Sequence, residues 1–146
     1  MLSNTSRYAI RALIYLAINY KEERKIGIKK IAEDLDIPSP FLGKILQALT
    51  KKKILSSTKG PNGGFYASET TIATPLIEII RIIDGDDLFD RCLVSNKSCS
   101  KTKDTGKCLL HNHYETIRED ITRLFSEYTI GQLAQEYNSS DIRIEL

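Results

Sequence analysis

The sequence predicts a mainly α-helical protein with one small β-hairpin, arranged as a winged helix-turn-helix domain followed by a long C-terminal helix. Three observations carry that expectation. Apolar residues recur at three- and four-residue spacing in six segments, the helical period. Two short strand-like runs bracket Lys59-Gly60-Pro61-Asn62-Gly63-Gly64, a composition that turns a hairpin. The chain of 146 residues suits one domain with an appended helical element.

Residues 6–20 carry Ala9, Ile10, Leu13, Leu16 and Ala17 on one helical face, with Asn4 or Thr5 available as a cap. Arg7 and Arg11 lie on its polar side with Tyr8 beside them, and either charge could meet a phosphate or face water. A second helix, 28–35, buries Ile28, Ile31, Ala32 and Leu35. After a tight connection, Ser39 caps and Pro40 opens a third helix running to about residue 52, where a missing N–H costs nothing. Its core face is Phe41, Leu42, Ile45, Leu46 and Leu49, leaving Ser39, Gly43, Lys44, Gln47 and Ala48 outside. Two helices joined by a short turn, the second basic and outwardly polar, are the parts of a helix-turn-helix. Gly43 costs roughly 1 kcal/mol against alanine there, which fits either close approach of backbone to DNA or tolerated drift.

Strands at 54–58 and 65–67 flank the glycine-rich turn, forming a wing whose tip carries Lys59 and little bulk. Thr74 and Pro75 then start an isoleucine-rich helix that ends at Gly85. Periodicity stops from 86 to 107, a stretch too long for a mere connector. A long helix over 109–127 carries Leu110, Tyr114, Ile117, Ile121, Leu124 and Phe125, and Thr129 caps a last helix over 130–137. Residues 138–146 read as a tail.

The net charge of +2 conceals an asymmetry. Residues 1–68 hold twelve Lys/Arg against five Asp/Glu, whereas residues 69–146 hold nine against fourteen. No acidic residue lies between Asp36 and Glu69, an interval that contains Lys44, Lys51, Lys52, Lys53 and Lys59. Such a surface suits a polyanion, with a solvated face as the bland alternative. No apolar run approaches the roughly 20 residues of a membrane helix, and the N-terminus lacks a signal-peptide pattern, so the expected location is cytoplasmic, away from membranes. No nucleophile–base pair, phosphate loop or paired carboxylate stands out, so an enzyme is not expected. A protein-binding winged helix is a further alternative. Three cysteines, an odd number, argue against a disulfide scaffold and leave metal binding, redox sensing or burial.

The order of parts resembles the Rrf2 family of bacterial transcription regulators over about residues 6–137. The carriers are Arg7-Tyr8-Ala9, Ile31-Ala32-Glu33, Phe41-Leu42 with Ile45-Leu46 and Leu49, and the wing from Lys59 through Phe65. Cys92, Cys99 and Cys108, with Cys108-Leu109-Leu110-His111, are similar to the branch of that family that carries an iron-sulfur cluster. The chain departs from the family in having Asn62 where glycine is common, Lys59 where arginine is frequent, and longer intervals between the cysteines.

The resemblance implies a homodimeric winged-helix regulator that binds a pseudo-palindromic site on double-stranded DNA. Arg7, Tyr8, Ser39, Lys44, Gln47, Lys51, Lys52, Lys59, Gly60, Asn62 and Gly63 are the implied DNA contacts. The implied division is a DNA-binding domain over 1–85, a cluster loop over 86–107, a dimerisation helix with a short C-terminal helix over 108–137, and a tail over 138–146. Iron-sulfur clusters want thiolate donors, usually four, with histidine replacing cysteine in some [2Fe-2S] centres. His111 lies three residues after Cys108, one helical face, whereas His113 is two further on. A [2Fe-2S] cluster on Cys92, Cys99, Cys108 and His111 is therefore favoured over a [4Fe-4S] cluster with an outside ligand. Zinc usually wants closer cysteine pairs. The alternative is a cluster-free repressor controlled by thiol redox or a protein partner.

Overall fold

The computed structural model describes residues 2–20, 24–94 and 110–139. Helix α1 (Asn4–Ile18) is the element the others pack around, touching elements from both ends of the chain. Ala9, Ala12, Leu13, Leu16 and Ala17 are buried along it, as the apolar spacing requires. Its cap is Ser3, earlier than the sequence suggests: the Ser3 Oγ accepts the Ser6 N–H at 3.0 Å from an extended backbone. The same residue donates its N–H and hydroxyl to the Asp84 carboxylate at 3.1 and 2.5 Å. Ser3 can therefore cap and be clamped at once, which neither Asn4 nor Thr5, already inside the helix, can do.

Helix α2 (Ile28–Asp34) and helix α3 (Ser39–Lys51) form the helix-turn-helix. Asp36 takes the left-handed backbone at φ +51° in the turn between them, a conformation its short polar side chain tolerates. Pro38, not Ser39, occupies the cap position of α3, and its carbonyl accepts the N–H groups of Phe41 and Leu42. Leu42, Ile45, Leu46 and Leu49 are buried, but Phe41 is 40% exposed and leaves the expected core face. At 3.6 residues per turn Phe41 lies about 80° from Leu49 toward Lys44, at the edge of the apolar stripe. Gly43 faces α2: a Cβ there would come within 3.1 Å of Ile28 Cδ1. A larger residue there would require the Ile28 side chain to shift by a few tenths of an ångström, so close packing of α2 on α3 favours glycine.

The wing consists of β1 (Ser56–Thr58) and β2 (Gly64–Tyr66), antiparallel with Ser56 opposite Tyr66 and Thr58 opposite Gly64. Ile26 adds a third edge, exchanging two 2.9 Å backbone bonds with Phe65. A short helix absent from the sequence expectation, α4 (Glu69–Ala73), follows. Ser68 and Thr71 cap it reciprocally, and the buried Thr71 hydroxyl donates to the Ile54 carbonyl at 2.5 Å, tying the wing's base to the core.

Helix α5 (Leu76–Asp84) buries Leu76, Ile77, Ile79 and Ile80 and ends at Gly85, whose φ of +75° suits glycine. Thr74 does not cap it; its hydroxyl donates instead to the Thr70 carbonyl at 2.6 Å. A single turn, α6 (Asp87–Asp90), interrupts the stretch expected to be loop. Helix α7 (His111–Glu127) packs on α5 and α6. Helix α8 (Ile130–Ser139) returns to α1 and α4, with Ile130 and Ala134 buried in the same core as Leu13 and Leu46. Thr129 caps it as expected: its Oγ1 accepts the Gln132 N–H at 3.2 Å, and Gln132 returns the contact to the Thr129 N–H at 2.8 Å.

Candidate nucleic-acid interface and cysteine cleft

The basic surface is organised by α3 and the wing. Helix α3 buries one face and thereby exposes Lys44, Gln47 and Lys51, one turn apart along the other. A groove of about 620 Å³ separates α3 from the wing, and Gln47, Lys51 and Lys59 line it together with Thr50, Ser57, Thr58 and Phe65. Lys52 is exposed at the end of α3, and Ser39 is half-buried at its start. Gly60 and Asn62 are exposed at the wing tip. The tip turn closes with the Gly63 N–H on the Gly60 carbonyl at 2.9 Å.

The wing glycines serve the wing itself. A Cβ on Gly63 would lie 2.3 Å from the Thr58 carbonyl oxygen, and one on Gly64 would lie 2.7 Å from the Ile26 backbone. Gly60 is required differently, by its φ of +108°.

Arg7 is exposed near the start of α1, and Tyr8 beside it meets Phe41 edge to face, with ring centroids 5.8 Å apart. Arg11 points inward and its Nη2 donates to the Leu35 carbonyl at 2.8 Å. It therefore fixes the end of α2 against α1, which is neither of the two roles the sequence left open, a phosphate contact or a solvated charge. Tyr15 and Lys30 both reach Asp34, at 2.5 and 2.6 Å, adding a second tie between these helices.

Charge pairing distinguishes the α3 and wing surface from the helices that follow it. Arg81, Arg91, Arg118 and Arg123 each pair with a carboxylate on their own or the next helix. Among the described residues, Arg7, Lys44, Lys51, Lys52, Lys53 and Lys59 pair with none. Unpaired cations along a helix and an adjacent hairpin are the electrostatic footprint of a polyanion site.

A second feature lies at the junction of α1, α5, α6 and α7. Ser3, Asp84, Asp87, Leu88, Arg91, Cys92, Leu93 and Tyr114 line a cleft of about 480 Å³. The Cys92 side chain is half-buried. Burial pushes the Asp84 carboxyl up, but the hydrogen bonds from Ser3 outweigh it and hold the group below its ordinary value. His111 is buried at the first turn of α7, its Nε2 3.5 Å from Glu115 Oε2. Tyr114, one turn after His111 on α7, lines the cleft together with Cys92. Cys99 and Cys108 lie outside the described residues, and among the described residues no three metal-ligating side chains converge.

On α7, Leu110, Ile117 and Leu124 recur every seven residues and are 47%, 55% and 50% exposed. Phe125 turns the other way and meets Phe89 edge to face at 6.3 Å. No helix among the described residues is long and apolar enough to cross a membrane.

The sequence pattern of the Rrf2 family, described as an iron-dependent transcriptional regulator, matches residues 2–136. A protein of Aquifex aeolicus named as an HTH-type transcriptional regulator is 33% identical over 133 residues, 91% of this chain and 90% of that one. The HTH-type transcriptional regulator IscR of Klebsiella pneumoniae is 26% identical over 141 residues, 97% of this chain and 83% of that one. Among solved structures, IscR of T. potens superposes with a TM-score of 0.74 at 19% identity, over 97% of this chain and 91% of that one. CymR, the global cysteine regulator of B. subtilis, also gives 0.74, at 20% identity over 93% and 97%. These two share the fold. The relatives are transcriptional regulators rather than enzymes.

Proposed function

The chain belongs to the Rrf2 family and is a DNA-binding transcriptional regulator, and from that premise we propose a homodimer whose operator affinity is controlled by an iron-sulfur cluster. The observation that carries the control is the position of Cys92. It borders a cleft made by the start of α1, the end of α5, the turn of α6 and Tyr114 of α7. Whatever is bound there touches the cap of α1 and the helix proposed to join two copies.

On the DNA side, α3 enters the major groove and offers Ser39, Lys44 and Gln47 to base edges or phosphates. Lys59, Gly60, Asn62 and Gly63 bring the wing to a minor groove or flank, while Arg7, Tyr8, Lys51 and Lys52 hold phosphates. The unpaired state of these cations in the described residues supports that reading. The half-exposed seven-residue repeat of α7 supports pairing with a second copy, since such a stripe is the seam of a two-helix coil. Two-fold pairing sets two α3 helices on one face, matching a pseudo-palindromic operator.

The chemistry of the donors suits a cluster: a half-buried thiol at Cys92, a buried imidazole at His111 one turn before the cleft residue Tyr114, and two further cysteines between them in sequence. Cys92, Cys99, Cys108 and His111 would hold it, as a [2Fe-2S] in preference to a [4Fe-4S]. When bound, it supplies a link among these side chains that is gained or lost with iron supply, oxygen, nitric oxide or redox poise. The chain's own part is mechanical. Asp84 lines the cleft and clamps Ser3, which caps α1; α1 carries Arg7 and Tyr8 and, through Arg11, holds the end of α2. A change at the cleft thus has a continuous path to the helix-turn-helix.

The test is the anaerobic absorption spectrum after reconstitution with iron and sulfide, for the wild type beside Cys92→Ser and His111→Ala. The proposal expects charge-transfer bands in the wild type, lost in Cys92→Ser and displaced in His111→Ala. Colourless wild type overturns it in favour of thiol or partner control, and a spectrum unchanged in His111→Ala removes that ligand.

A further inference from the structure

Large apolar side chains exposed among the described residues fall into two groups with one exception. Leu93 and Val94 follow Cys92, while Leu110, Ile117, Leu124 and Tyr128 belong to α7 and its ends. The exception is Phe41, 40% exposed on the third residue of α3. It stands one turn before Lys44 on a surface that lacks any carboxylate from residue 37 to residue 68. Tyr8 of α1 holds the ring from the side, with planes crossing at 87°.

We propose that Phe41 reads the C5-methyl group of a thymine in the major groove. The inference rests on the DNA-binding reading above and names a specificity determinant within it. Residues near the start of a recognition helix are those that reach base edges. Along those edges the thymine methyl is the one apolar group, so an exposed phenyl ring has a single complementary partner there. Tyr8 makes the ring a fixed probe: an edge-to-face pair restrains the side chain before DNA arrives, so little rotational freedom is lost on contact.

Removing the methyl alone isolates the contact. A duplex is enriched from a random 30-base-pair pool by the wild-type chain, then resynthesised with deoxyuridine in place of each thymine in turn. Deoxyuridine pairs as thymine does and lacks only the methyl. Burial of one such group is worth about 0.8 kcal/mol, so wild-type affinity falls about fourfold at one position in each half-site. In Phe41→Ala the same replacement leaves affinity unchanged. The exposure of Phe41 means this variant keeps its fold, which circular dichroism checks, and Phe41→Leu, still apolar, retains a reduced penalty. The proposal is overturned if wild type tolerates deoxyuridine at every position, or if Phe41→Ala keeps the full penalty. Failure to enrich any duplex is a different result, which overturns the DNA-binding reading itself.

Discussion

Leu124→Ala tests the proposed seam of α7 with a magnitude that follows from exposure. Leu124 is 50% exposed in a single chain. Burying a whole leucine side chain stabilises by roughly 1.5–3 kcal/mol, so covering the exposed half contributes about 1 kcal/mol. Two-fold symmetry counts the residue twice, giving about 2 kcal/mol per dimer. Tenfold in affinity corresponds to 1.4 kcal/mol, so the substitution weakens the dimer about 30-fold. Leu124→Glu goes further, because it places a charge in an apolar seam without a partner. Sedimentation equilibrium measures both, and thermal unfolding of the monomeric chain is the control, since the half of Leu124 already covered limits the cost to the chain's own fold to about 1 kcal/mol. Wild type that sediments as a monomer at tens of micromolar, or a Leu124→Glu variant that dimerises like wild type, refutes the reasoning.

Other consequences are equally direct. Lys59→Ala removes one cation facing the DNA per protomer, two per dimer, so the slope of log affinity against log salt becomes shallower by about two. Fluorescence anisotropy across a salt series measures it, and an unchanged slope would take the wing tip off the DNA. Asp84 gives a pH dependence. Its carboxyl is held below the usual range because the Ser3 hydrogen bonds outweigh burial, so its contribution is complete at neutral pH and disappears as pH falls through that lowered value. Asp84→Asn should flatten the acid limb of the stability profile below about pH 4. Tyr15 acts at the other end: burial first, then Asp34, push its hydroxyl up to about 12. The neutral phenol's contribution is complete below about pH 10 and lost as pH rises through the raised value, a loss that Tyr15→Phe should abolish in alkaline unfolding curves.

Much of this was legible in the sequence because burial has a period. Leu42, Ile45, Leu46 and Leu49 could not all be exposed on a helix, and they are buried. The wing was legible from Pro61 and from Gly60 and Gly63, whose need arises inside the turn, whereas the need for Gly64 comes from the Ile26 backbone far along the chain. Where legibility failed, tertiary structure decided. Phe41 falls at the margin of the stripe, and its packing against Tyr8 of α1 decides how much of the ring faces water. Arg11 looked like a surface charge because its partner, the Leu35 carbonyl, is a backbone atom 24 residues away. Helix α4 is five residues of Glu-Thr-Thr-Ile-Ala, poor in helix propensity and held by the Ser68–Thr71 caps and the Ile54 carbonyl. The cleft at Cys92 depends on Ser3 meeting Asp84 across 81 residues, a pairing no local pattern announces.

Control of DNA binding from the cysteine cleft is the claim on which the rest depends, and one titration addresses it. The same enriched duplex is titrated anaerobically, at one salt concentration, with cluster-reconstituted and cluster-free wild-type protein. Affinities that differ between the two forms, with the difference abolished in Cys92→Ser, are the predicted result. Superimposable binding curves for the two forms would contradict it.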